Sequence, residues 1–198
     1  MPSIEERDPI ELFGDWFAEA KDCGLKEPTA MALASADKNG MPSLRMVLLK
    51  GYGPDGFVFY TNYESRKGRE LQENPQAALC FYWMPLGRQI RVQGRVETVS
   101  DADADTYYQS RHRDSRIGAW ASQQSRPMAT RYDLEKSVAK YAAKFAIGEI
   151  PRPPYWSGFR IAPRLIEFWS EKPFRLHERI VFERETDDAP WRTSRLFP

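Results

Sequence analysis

The stretch 88–96, Arg-Gln-Ile-Arg-Val-Gln-Gly-Arg-Val, alternates in a way only a strand can use. Gln89, Arg91, Gln93 and Arg95 would share one face, and Ile90, Val92 and Val96 the other. A period of two is a half-buried β-strand. Four shorter apolar or aromatic segments, 29–35, 44–50, 56–61 and 77–83, precede it between turn signals. Lys38-Asn39-Gly40 and Gly53-Pro54-Asp55-Gly56 supply the dihedrals that tight turns need, so consecutive antiparallel hairpins are expected. Two further strands, about 158–170 and 175–184, follow late in the chain, and 191–197 closes it.

Helices fall between these strands. Asp8 can cap a helix, Pro9 suits its first turn and Glu11 completes a capping box. Leu12, Phe13, Trp16 and Phe17 form its apolar stripe, and Gly24 can end it. The segments 101–110 and 134–147 also have helical character, the second through Leu134, Val138, Tyr141 and Phe145. Pro151-Arg152-Pro153-Pro154 is a rigid extended connection rather than a boundary. The expectation is an α+β protein around a small antiparallel β-barrel with flanking helices. Residues 1–198 are read as one domain.

Composition narrows the function. Lys and Arg number 29 against 28 Asp and Glu, a net charge of +1, so the broad basic field of a nucleic-acid binder is missing. No apolar run reaches the ~18 residues a membrane span needs, and the first residues do not read as a secretion leader. Cys23 and Cys80 lie far apart, outside any CxxC or zinc pattern, as thiols in a reducing cytosol would. There is no Gly-x-Gly-x-x-Gly, Walker loop or Gly-x-Ser-x-Gly elbow. Redox chemistry on this chain would need an organic cofactor.

Several local patterns suit anions. Ser65 reads as an N-cap with Arg66 and Lys67 in the first helical turn, where the helix end is already partly positive. Free N–H groups, a hydroxyl and two cations at one point fit a phosphate monoester; the alternative is that both side chains simply reach into solvent. Arg45 and Lys50 end an apolar strand run on opposite faces, which ordinary strand-end charge explains as well as a ligand does. Tyr107, Arg111 and Ser115 recur every four residues and would align on one helix face, suiting a second phosphate or a solvated helix end. Gly118–Ser125 reads as a small, amide-rich loop fit for a heterocycle's edge. Arg175, His177 and Arg179, at strand spacing, would crowd three cations onto one face. An anionic ligand would relieve that repulsion; a basic edge strand that deters aggregation is the alternative.

Seven motifs in fixed order carry a resemblance: RMVLLK at 45–50, FYTN at 59–62, SRKGRE at 65–70, RQIRV at 88–92, RDSRIGAWASQQS at 113–125, EFW at 167–169 and RLHER at 175–179. Together they resemble the pyridoxine/pyridoxamine 5′-phosphate oxidase family, from about residue 8 to residue 198. The resemblance implies an FMN-binding split barrel and a cytoplasmic homodimer with FMN at the subunit interface. About 155–198 would be a dimerisation and substrate region. Matched to the motifs, Arg45, Met46, Val47, Leu48, Leu49, Lys50, Tyr60, Thr61, Arg66, Lys67 and Gln89 would hold FMN. Gln124, Ser125, Trp169 and Arg179 would complete that site, partly from the other subunit. Lys50, Tyr107, Arg111 and Ser115 would hold the substrate phosphate, with Arg175, Leu176 and His177 at the pyridine ring. Arg175 and His177 are the implied catalytic pair, and O2 the electron acceptor.

The chain departs from the family pattern in places. It opens almost at its first helix, so the basic, tyrosine-bearing cover usual before that helix is expected to be short or missing. Ser157 stands where a second glycine is common, Ser170-Glu171 replaces a common Gln-Gly, and Glu178 a common Asp. The competing expectations are a phenazine-type flavin oxidase on the same fold and a non-catalytic flavin- or pyridoxal-phosphate-binding protein. The full substrate-phosphate set favours the vitamin B6 substrate.

Overall fold

The computed structural model describes Ile4–Pro198; the leader reading of residues 1–3 lies outside the described residues. The described chain forms five α-helices and nine strands. Helix α1 (Pro9–Asp22) starts where expected, with the Asp8 carboxylate accepting from the Ile10 and Glu11 N–H groups. It is followed by Gly24 at φ +81°, a left-handed position glycine takes without steric cost. The chain continues through β1 (Ala30–Ala36), β2 (Pro42–Leu48), β3 (Gly51–Gly53) and β4 (Gly56–Asn62). Then come α2 (Arg66–Glu73), β5 (Gln76–Trp83), β6 (Arg88–Thr98), α3 (Asp101–Ser110), α4 (Arg113–Ala121) and α5 (Asp133–Lys144). Strands β7 (Trp156–Ser170), β8 (Glu178–Glu183) and β9 (Arg192–Arg195) finish the chain.

All the strand pairs are antiparallel, in the order β2-β1-β5-β6-β7-β4-β3, with β8 and β9 added beside β7. The expected hairpins form at β1–β2 and β3–β4. The sheet divides along β7. One edge of this 15-residue strand pairs with β6 from Phe159 to Ser170. On its other edge, Trp156–Ile161 pairs with β4 and Leu165–Ser170 with β8. Pro163 stands between those two pairings, where its missing N–H breaks no ladder. Opposite it, β6 shifts register at Gly94, whose added Cβ would lie 2.0 Å from the Ala162 carbonyl oxygen. One strand serving two partners makes the barrel split.

The main core fills this barrel. Leu12, Phe13, Trp16 and Phe17 of α1 plug it against Phe57, Phe81, Trp83, Ile90 and Phe168. A smaller core of Tyr108, Ile117, Phe145, Ile150 and Trp156 sits under α3, α4 and α5.

Four expectations change. The run 44–50 is not one strand: β2 ends at Leu48, and the Lys50 N–H donates to Val58 O at 2.8 Å, in the next hairpin. Gly118–Ala121 is the end of α4 rather than a loop. The helix expected at 134–147 ends at Lys144. The strand expected from Arg175 begins only at Glu178, because Pro173–Arg175 forms a tight turn with Phe174 and Arg175 at φ +58° and +61°.

Candidate active site

A cavity of about 1030 Å³ opens between the two cores. The β2 edge supplies Arg45, Met46, Val47, Leu48 and, just past its end, Lys50; the end of β4 supplies Tyr60 and Thr61. The start of α2 brings Arg66 and Lys67, and the α3–α4 region brings Tyr107, Arg111 and Ser115. The loop after α4 adds Gln124 and Ser125, and β7 adds Trp156. Arg45 and Lys50, expected on opposite faces, meet here because the chain changes strand between them. Leu49 is an exception among the motif residues: its side chain is buried in the main core.

The wall at α2 gathers cations around a capped helix start. Ser65 caps the helix by accepting from the Gly68 N–H at 3.2 Å and donates to Asn62 O at 2.6 Å. Lys67 Nζ is buried and donates to Ser65 Oγ at 3.3 Å and to Gln124 Oε1 at 3.2 Å. Burial and the nearby Arg45 guanidinium pull the Lys67 pKa down to about 8, against a lift from Glu70. Arg66 Nε donates to Glu70 Oε1 at 2.8 Å, and Arg45 Nη2 to Glu70 Oε2 at 3.1 Å. A negative charge placed beside Lys67 would favour its charged form.

The wall at α3 and α4 joins aromatic faces to one cation. Tyr60 stacks on Tyr107 at 4.0 Å between centroids and on Trp156 at 5.5 Å, with planes within 17° and 7°. The Arg111 guanidinium lies 4.6 Å over Trp156. Its Nη1 is buried and has no hydrogen-bond partner among the described residues. A buried donor without an acceptor costs about 1–3 kcal/mol, so this cation has capacity for an anionic guest. Burial lowers the Arg111 pKa, against Tyr107 and Tyr108. Tyr107, Arg111 and Ser115 do not share one helix face as expected. The helix breaks at Arg111, which caps α3, and Ser115 belongs to α4. The break still leaves all three on the cavity wall.

The remaining motif residues form a second group that does not line this cavity. Gln89, Trp169 and Arg179 stand in one register row across β6, β7 and β8. Arg179 donates to the buried Glu167 through Nε at 2.8 Å and Nη2 at 3.2 Å, and Arg91 pairs with the same carboxylate. The His177 ring packs 4.7 Å from Trp169, and its Nδ1 accepts from the Lys172 N–H at 3.3 Å. In the neutral ring that contact leaves the proton on Nε2, free to donate. Arg175 and Leu176 sit on the turn before β8, so the three cations are not side by side on a strand. Among the described residues, the non-glycine positions with positive φ are Ser125, Phe174 and Arg175. Such strain collects where a site needs a particular backbone direction.

The cavity also contains residues to which no individual role was assigned: Ser43, His112 and Trp156 outside the quoted motifs, and Asn62 and Ser122 within them. Trp156 follows the proline-rich connection, and no local pattern marks its neighbours. Glu70 was open to detection, since it lies four residues after Arg66 on one helix.

Comparison with known proteins fits this arrangement. The family model described as pyridoxamine 5′-phosphate oxidase matches residues 17–169, and the pyridoxine 5′-phosphate oxidase C-terminal dimerisation region matches 156–198. The pyridoxine/pyridoxamine 5′-phosphate oxidases of Brucella canis and Brucella suis are each 57% identical over 194 residues, covering 98% of this chain and 96% of theirs. Among solved structures, PhzG from Burkholderia lata 383 in complex with tetrahydrophenazine-1-carboxylic acid has a TM-score of 0.90 at 33% identity, covering all of this chain and 98% of that one. A pyridoxamine 5′-phosphate oxidase-related, FMN-binding protein from Nostoc punctiforme shares the fold, with a TM-score of 0.76 at 17% identity over 98% of this chain and 100% of that one. Motif order, the split along β7 and sequence identity over nearly the whole chain agree: the chain belongs to the pyridoxamine 5′-phosphate oxidase family.

Proposed function

We propose that this chain is a flavin-dependent oxidase that converts pyridoxine 5′-phosphate and pyridoxamine 5′-phosphate to pyridoxal 5′-phosphate in the cytosol. The observation that supports the reading is one cavity with cationic side chains on two walls. Arg45, Arg66 and Lys67 line one, and Tyr107, Arg111 and Ser115 the other, with Lys50 also at the rim. A phosphorylated cofactor and a phosphorylated substrate together need both. The volume suits two ring systems, since single-ligand pockets span roughly 300–1,000 Å³. The donor set fits FMN, with phosphate at Arg45, Arg66 and Lys67, and polar contacts from Thr61, Gln124 and Ser125.

Bound FMN would accept two electrons from the substrate C4′ position and return them to dioxygen, leaving an aldehyde and hydrogen peroxide, with ammonia released after hydrolysis when the substrate is the amine. The residues of this chain bind and orient. Arg111, with its unpartnered Nη1, grips the substrate phosphate together with Tyr107, Ser115 and Lys50. Fixing the phosphate sets the distance and angle of the reacting carbon. Gln89, Trp169, Arg175, Leu176, His177 and Arg179 serve the cavity of the other subunit in a homodimer. Support for this comes from their position off their own cavity wall and within or beside the match to the dimerisation region. The cavity borders the β2 edge, whose Leu44 and Met46 are exposed and would suit a subunit contact. From the opposing subunit, Arg175 orients the substrate and stabilises developing charge, and His177 donates through Nε2 to a ring substituent.

The test is aerobic turnover of FMN-loaded protein with pyridoxine 5′-phosphate, following aldehyde and peroxide together. Equal yields of both, suppressed by Arg175→Ala, are expected. FMN binding with neither product from either B6 substrate would reject the substrate and leave the flavin site standing. The B6 reading is supported over a phenazine-type substrate by identity, 57% to the pyridoxine/pyridoxamine 5′-phosphate oxidase of Brucella canis against 33% to PhzG.

A further inference from the structure

Glu70 is a buried acid that the chemistry above leaves unused. It lies in α2 with 4% of its surface exposed, and it is not part of the cavity wall. Its carboxylate nevertheless gathers that wall from behind. Oε1 accepts from Arg66 Nε at 2.8 Å. Oε2 accepts from Arg45 Nη2 at 3.1 Å and from the Ser35 and Ser43 hydroxyls, each at 2.5 Å. Arg45 also donates to both serine oxygens. Ser43, Arg45 and Arg66 all line the cavity. One side chain thus ties β1, β2 and α2 together at a single point. Burial would raise the Glu70 pKa, but the donors from Ser35, Ser43, Arg66 and Arg45 hold it down to about 2, so the carboxylate stays ionised.

We propose that Glu70 is a positioning residue for the cofactor phosphate: it holds the Arg45 and Arg66 guanidinia at the cavity wall, set for the phosphate of FMN, without touching that phosphate. The inference rests on reading this cavity as the FMN site. Arg45, Arg66 and Lys67 repel one another on an empty wall, and a shared counter-ion lets them stay there. The Arg66 side chain is 57% exposed, so without Glu70 it would be free to swing into water. Fixing long cations before binding removes an entropy cost from the binding step.

Glutamine cannot replace this carboxylate. It has one acceptor oxygen and one NH2 group, so either Arg66 or the Arg45–serine side would lose its acceptor and face a donor. Loss of the negative charge acts the other way, by reducing repulsion of the phosphate. The two guanidinia in contact with Glu70 already neutralise that charge, so lost orientation outweighs relieved repulsion.

The experiment compares FMN with riboflavin, which has the same ring and ribityl chain but no phosphate. Dissociation constants come from quenching of flavin fluorescence, for the unmodified protein and Glu70→Gln, with a thermal melt of each ligand-free protein. Glu70→Gln is expected to weaken FMN about tenfold, the loss of one charge-assisted hydrogen bond, while riboflavin changes by less than about twofold. Should Glu70→Gln fail to fold, Ser35→Ala serves instead, because Ser35 contacts Glu70 and Arg45 but does not line the cavity. It is expected to weaken FMN a few-fold and spare riboflavin. Equal weakening of both flavins would make Glu70 a general structural residue and overturn the proposal, as would unchanged or tighter FMN binding in a folded variant. If the unmodified protein holds FMN no better than riboflavin, this wall is not a phosphate site, and the cofactor reading falls together with the proposal.

Discussion

Replacing Arg111 with alanine separates a ligand-binding role from a structural one. In the ligand-free protein two effects oppose each other. The variant loses the stacking of the guanidinium on Trp156 at 4.6 Å, a cation–π contact of about 0.5–2 kcal/mol. It also removes the buried, unpartnered Nη1, relieving about 1–3 kcal/mol. The balance lies near zero, and 1 kcal/mol moves the melting temperature of a chain this size by about 2–4 °C. Melting temperature should therefore stay within about 4 °C. Substrate binding has no such compensation. Losing a hydrogen bond to a phosphate costs about 1.5–3 kcal/mol, or roughly 12- to 140-fold in KM. Arg111 would contact only the phosphate, so KM should carry most of the loss, with a smaller fall in kcat from looser placement of the reacting carbon. Steady-state kinetics with pyridoxine 5′-phosphate, beside a melt of the ligand-free variant, provides the assay. A melting temperature lower by more than about 8 °C with KM unchanged would refute the argument and make Arg111 a prop for the α3–α4 junction.

Lys67 should make FMN binding sensitive to pH. With its folded pKa lowered to about 8, the unfolded chain binds more protons than the folded one between about pH 8 and the ordinary lysine value; the contribution of this group to ligand-free stability rises across that window. A bound phosphate favours the charged amine, so FMN should take up a proton on binding and lose affinity as the pH climbs past about 8. Calorimetry near about pH 9 in two buffers of different ionisation enthalpy reads this directly, and identical heats would count against it. Phe13→Ala probes the main core, where the ring meets Tyr52 and Phe57 at 4.9 Å and Phe81 at 5.2 Å. Denaturant unfolding should show a loss of about 3–5 kcal/mol; less than about 1 kcal/mol would mean the plug of α1 in the barrel is not what holds it.

The fold was legible wherever one short stretch carried its own pattern. The alternation of 88–96 became β6, with Ile90, Val92 and Val96 buried. The Asp8-Pro9 start became the capped α1, and Ser65 capped α2. Errors came where local pattern and backbone path diverged. Arg175, His177 and Arg179 have strand spacing, but Pro173 precedes a turn in which Phe174 and Arg175 take positive φ, and periodicity does not reveal dihedral sign. Tyr107, Arg111 and Ser115 have helical spacing, yet Arg111 is extended at ψ 149° as the cap of α3. The side chains still meet because two helix ends converge, not because one face is continuous.

For the candidate site, short-range chemistry could be read from residue types: cations around Ser65, an aromatic and guanidinium set near Arg111, and motif order sufficient for the family. Those features depend on neighbours within a few positions, and the chain states them outright. What only the tertiary structure decided is which of them share a cavity. Lys67 reaches Gln124 across 57 positions, and Tyr60 stacks on Trp156 because β4 and β7 pair antiparallel in a register that sets Asn62 opposite Trp156. Glu70 shows the same division. Its spacing from Arg66 was visible in the sequence, but its hold on Ser35, Ser43 and Arg45 depends on where β1 and β2 come to rest against α2. Distance along the chain does not fix distance in space; that is set by strand pairing and core packing, which join segments that carry no mark of one another.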